Sequence, residues 1–139
     1  MVATWGTGKQ DYSQIVEKAS ALLFRADQEY TVIYSGTLVL NYGDSDSITV
    51  TAPSPGYRKI LKIIKVSTKE NQMIRADFSS PSYKFSEFSY ISVLRDLPEG
   101  VILEEGETAT VTVTHIGDSG VTAEAHITVF GVNEKIIGV

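Results

Sequence analysis

Apolar and polar positions change period once along this chain, near residue 29, and that change divides it. Over residues 11–25, Tyr12, Ile15, Val16, Ala19, Leu22 and Leu23 recur at three- and four-residue spacing, which places them on one face of a helix. Asp11 stands three residues before Gln14, Glu17 lies in the early turns and Arg25 near the end, matching N-terminal capping and the helix dipole. The spacing therefore predicts a short helix over 11–25, preceded by a Gly/Thr-rich arm that carries Trp5. A competing reading makes Ala21–Arg25 and Tyr30–Tyr34 a hairpin around Ala26–Glu29.

From Tyr30 onward the period is two. Tyr30, Val32 and Tyr34 alternate with smaller or polar residues; Leu38, Leu40 and Tyr42 follow Gly36; Ile48, Val50 and Ala52 follow the Gly43–Ser47 turn. Such alternation describes strands with one face on a core. Pro53-Ser54-Pro55-Gly56 is a firm break. The next strand, Tyr57–Ser67, is apolar on both parities, so either it is bulged and its faces swap midway or its outer face is covered. Met73–Phe78 and Tyr83–Leu94 follow, then a Pro98-Glu99-Gly100 turn and Val101–Leu103. Val111 and Val113, then Val121 to Val129, place odd positions inward and read as a final hairpin around Gly117–Gly120. The sum is about eight strands with turns every ~8–12 residues, an all-β antiparallel sandwich with one short N-terminal helix. The boundaries are 1–28 for arm and helix and 29–139 for the sandwich.

Composition narrows function mainly by exclusion. The 139 residues contain no cysteine, which removes disulfides and thiolate chemistry. Lys and Arg number 12 against 17 Asp and Glu, a net charge of −5, which argues against sequence-independent nucleic-acid binding. The N-terminus has no basic region followed by an apolar run, so no signal peptide is read, and no apolar run approaches the ~20 residues of a membrane helix.

Catalysis would have to begin with His115 and His126. In a final hairpin they sit ~13 Å apart in level and on opposite faces, so they cannot share a metal. Asp44-Ser45-Asp46-Ser47 begins like a calcium loop but lacks the later Gly and bidentate Glu. No catalytic residue, metal ligand or cofactor site is assigned, and the chain is read as a non-enzyme.

Two features suggest contact. Ser79–Ser92 interleaves serines with Tyr83, Phe85, Phe88 and Tyr90, a composition suited to adaptable binding surfaces; Tyr83 and Phe85 share one face, Phe88 and Tyr90 the other. Basic residues from Arg58 to Lys69 and acidic ones from Asp96 to Glu107 are segregated, which suits either pairing within the chain or pairing between subunits.

The segments PSPGYRKILKIIKVS, VILEEGETATVTV and GVTAEAHITVFGV resemble, in turns and alternation, the jelly-roll domains of viral and phage structural proteins. The resemblance implies a homo-oligomeric structural role in a virion, as a capsid-associated, decoration or spike protein at a virion or extracellular surface, in contact with other virion or surface proteins. Trp5, Tyr12 and Ile15 are the expected neighbour contacts. The alternative is a carbohydrate- or receptor-binding module that takes a glycan on Tyr83 and Phe85.

Overall fold

The computed structural model describes residues 30–89 and 92–136. The expected helix over 11–25 lies outside them, with Trp5, Tyr12 and Ile15, as does Tyr90. Eight strands follow in order: β1 (Thr31–Leu40), β2 (Ser45–Val50), β3 (Tyr57–Thr68), β4 (Ile74–Ser79), β5 (Lys84–Ser89), β6 (Ser92–Leu103), β7 (Ala109–His115) and β8 (Ala123–Lys135). They form two four-stranded sheets, sheet I in the order β1-β8-β3-β6 and sheet II in the order β2-β7-β4-β5. Every pairing is antiparallel. The pairing is nested: β1 lies beside β8, β2 beside β7, β3 beside β6 and β4 beside β5.

One core lies between the sheets. Leu40, Leu61, Ile64, Val93 and Ile127 from sheet I meet Ile48, Ile74, Phe78, Val111 and Val113 from sheet II. This is the all-β, two-sheet architecture that period-two alternation implies, consistent with a β-sandwich. Burial of odd positions on β7 and β8 also follows the sequence reading.

The structure corrects four local readings. β7 and β8 do not form a hairpin: β7 pairs with β2 and β4, and β8 with β1 and β3. The connection over 116–122 instead crosses between sheets, a gap of about 10 Å. Pro98-Glu99-Gly100 does not end a strand either, because β6 runs on through it. Four residues of β6 lie between Asp96 and Val101, which flank the single Lys62 of β3, and Gly100 takes a φ of 76° to make that bulge. The Gly43–Ser47 turn is shorter than expected, since β2 starts at Ser45. Gly36 lies within β1 rather than between two strands.

Bulges also settle the two-faced strands. On β3 the register shifts between Leu61 and Ile63. Leu61 and Ile64 therefore both reach the main core, and Ile63 turns to the outer face of sheet I to pack on Phe130. A second shift between Val32 and Tyr34 of β1 turns Ile33 and Tyr34 toward the core and leaves Val32, expected inside, 53% exposed.

Candidate functional site

The β4–β5 turn decides where the sequence-predicted aromatics go. Buried Ser80 clamps Tyr83 from both sides: its backbone N–H donates to the Tyr83 carbonyl at 2.9 Å, and its Oγ accepts from the Tyr83 N–H at 3.0 Å. From that anchor β5 alternates, with Tyr83, Phe85 and Glu87 half-buried and Lys84, Ser86 and Phe88 exposed. Tyr83 and Phe85 thus share a face, as their parity predicts, and that face packs on the core. The outward aromatic is Phe88, 57% exposed.

The rings form a cluster with a cation. Phe85 stacks on Phe78 with centroids 5.5 Å apart, and Tyr83 lies within 6.3 Å of both. Arg95, reaching across from β6, sets its guanidinium 4.7 Å from the Phe85 centroid and donates to the Tyr83 hydroxyl at 2.9 Å. Its third partner is Glu87, at 3.8 Å. The Tyr83 hydrogen bond chiefly, with the charge of Glu87, raises the Arg95 pKa against the opposing effect of partial burial. Glu87 Oε2 is buried without a hydrogen-bond partner among the described residues.

Beside this cluster, where the edges of the two sheets meet, lies a cleft of about 310 Å³ lined by Tyr83, Leu97, Glu99, Gly100 and Val101. No histidine lines it. His115 is buried in sheet II; His126 is exposed on sheet I, 2.9 Å from Thr37 Oγ1. Among the described residues no three His, Asp or Glu side chains gather to hold a metal. At the Asp44–Asp46 segment, the Asp46 carboxylate accepts from the Ser47 N–H at 2.8 Å, an ordinary local use of aspartate.

The segregated charges meet in part within the chain. Arg58 pairs with Glu134 at 2.5 Å and with Glu104 at 3.8 Å, and Lys69 pairs with Glu124 at 3.5 Å. The hydrogen bond to Glu134 is the first cause of a raised Arg58 pKa.

Sequence reasoning missed Arg95, whose role depends on β5 and β6 lying at neighbouring sheet edges. Replacing it (Arg95→Met) removes the cation from the Phe85 ring and the donor from Tyr83 while keeping an apolar stem. The expected loss is about 1 kcal/mol, because exposed cation–π contacts and ion pairs are each modest. Urea unfolding measures it; an unchanged midpoint would mean the cluster holds without its cation. Comparison with protein-family models finds no match, and no curated protein matches the chain.

Proposed function

We propose that this chain is a jelly-roll domain acting as a structural, non-catalytic component of a homo-oligomeric assembly of the kind that forms virion surfaces. The observation that carries the reading is the nested strand order. Pairing first with last, second with seventh, third with sixth and fourth with fifth is what results when one long antiparallel hairpin rolls into two sheets. That order supports the jelly-roll reading, since eight-stranded jelly rolls, an architecture of capsid and lectin domains, are built from two Greek keys in two sheets. Fold alone does not give function, so the assembly reading also draws on surface chemistry. Val39 of β1 is 65% exposed, Ile102 of β6 39% and Phe88 of β5 57%. All three lie on strands at sheet edges, where a second copy can approach.

The glycan alternative needs free ring faces at Tyr83 and Phe85, whereas Phe85 is engaged by both Phe78 and Arg95. Assembly is therefore the better supported reading. Sedimentation velocity of the full chain at micromolar concentration, in low and high salt, tests it. The expected result is one defined species of several copies. A monomer throughout the concentration range would reject the proposal.

A further inference from the structure

β1 and β6 border sheet I, and β2 and β5 border sheet II. A border strand offers a row of unpaired backbone groups, which folded proteins blunt with short length, charge, proline or bulges. β2 and β5 are blunted in this way, with 6 residues each, Asp46 on the first and Lys84 and Glu87 on the second. β6 has 12 residues but carries Arg95, Asp96, Pro98 and Glu99, and its register breaks opposite Lys62. β1 has none of this protection along most of its length. Its 10 residues, TVIYSGTLVL, include no charge and no proline. Its bulge lies near its start, between Val32 and Tyr34, and the register with β8 then runs unbroken from Tyr34 to Leu40. Among the described residues no strand lies on its other side.

Hydrogen bonds at the start of β8 fix which groups of β1 point outward. Glu124 spends both backbone groups on the side of β3: its N–H donates to Glu70 Oε1 at 2.9 Å, and its carbonyl accepts from the Lys69 N–H at 3.1 Å. Val39, opposite Glu124, therefore sits in a non-hydrogen-bonded pair, and by alternation so do Thr37 opposite His126 and Ser35 opposite Thr128. The N–H and C=O groups of Ser35, Thr37 and Val39 face the open edge, and all three residues are exposed. We infer that β1 pairs antiparallel with β1 of a second copy about a two-fold axis at Thr37, joining two copies of sheet I into one continuous sheet. The inference rests on the assembly reading and names its contact. In this register Thr37 meets the partner's Thr37 and Ser35 meets the partner's Val39, so every outward group finds its complement in roughly six hydrogen bonds. An axis at Gly36 would set Val39 against Ile33 in the bulge, and one at Leu38 would set Ser35 against Asn41, past the end of β1; each loses a pair. A second copy fits because the outward residues are symmetric about Thr37 and no like charges meet on a strand that has none. The same patch on both partners closes after two copies, and the merged sheet then ends on each side at the blunted β6.

The test uses the full chain, which has no cysteine, so each introduced thiol is unique. Residues of a hydrogen-bonded antiparallel pair have Cα atoms about 5.5 Å apart, within disulfide reach. Thr37→Cys is therefore expected to give a covalent dimer on mild oxidation. Ser35→Cys alone, or Val39→Cys alone, sets like thiols about 14 Å apart along the strands, and each should run as a single chain on a denaturing gel. The two refolded together from urea should cross-link. Cross-linking of Ser35→Cys by itself as readily as in the mixture would overturn the axis at Thr37. Absence of a Thr37→Cys dimer from a sample that sediments as an assembly would overturn edge pairing and leave assembly standing, whereas a monomer in sedimentation overturns both. As a second readout, Thr37→Pro removes an N–H that faces the open edge, a place where a strand tolerates proline. Its urea midpoint should stay near that of the unaltered chain while the assembly breaks into smaller species. An assembly of unchanged mass in Thr37→Pro would also overturn the proposal.

Discussion

Gly131→Val is expected to leave the domain barely folded. Gly131 lies in β8, opposite Thr31 of β1 on one side and Leu61 of β3 on the other. A Cβ built there meets the carbonyl of Ile60 well inside contact distance, with the Leu61 Cα 3.2 Å away. These are backbone atoms, so no rotamer change relieves the clash; β3 and β8 must part. The φ of Gly131 is not in the left-handed region, so the cost comes from close approach, not from conformational freedom. Overpacking in a rigid core commonly costs 1–3 kcal/mol, and here about 3 kcal/mol or more is expected, a large part of the ~5–15 kcal/mol that holds a domain together. Gly106 is the matched control. Its φ is +82° and nothing lies within 4 Å of an added Cβ, so Gly106→Ala should cost only about 1–2 kcal/mol of backbone strain. Urea unfolding of both variants decides the matter. If Gly131→Val lost no more than Gly106→Ala, the close approach of β3 and β8 would be refuted.

The same strands show what the sequence could and could not convey. Alternation outlines most of the strands, because side-chain direction is a local property of extended backbone, but it runs β5 and the start of β6 together as Tyr83–Leu94 and turns Val32 of β1 inward where the structure exposes it. Pairing is not local. Val111, Val113 and the Val121–Val129 series alternate identically whether their link turns back within one sheet or crosses to the other, so a hairpin and a crossover look alike until the partners are known. Bulges sit between these cases. The mixed parity of Tyr57–Ser67 announced that something must change at mid-strand, and the shift at Lys62 is that change. The one at Val32 had no such signal, since Val32 and Ile33 are equally apolar.

The candidate site was legible to a similar depth. Shared parity of Tyr83 and Phe85 was readable, but which face meets the core depends on the β4–β5 turn and on Phe78 across the ladder. In sequence, Arg95 is only the base that stands directly before the acidic Asp96–Glu107 stretch. Its place over Phe85 arises because β5 and β6 occupy the corresponding edges of the two sheets, an arrangement set by residues far from either strand.

The two histidines give the second large expectation, and they separate what looked like a pair. His115 ends β7 fully buried. Its Nε2–H donates to the Val121 carbonyl at 2.6 Å, and its Nδ1 accepts from the Gly117 N–H at 3.1 Å. The ring therefore ties both ends of the crossover that carries the chain from sheet II to sheet I. Tyr42 packs edge-on against it at 5.8 Å, and the backbone of His115 exchanges bonds with Gly43 and Asp44, so the β1–β2 connection leans on the same residue. His115→Leu keeps comparable apolar volume but strands the Gly117 donor and the Val121 acceptor. Part-buried polar groups left without partners cost about 1–3 kcal/mol each, so a loss of about 2–3 kcal/mol is expected. His126 is exposed, its Nδ1 2.9 Å from Thr37 Oγ1, and His126→Leu should stay within about 0.5 kcal/mol. Denaturant midpoints measure both, and amide exchange at Gly117 should rise in the His115 variant alone. Equal midpoints for the two variants would mean that the crossover is held by something other than this imidazole.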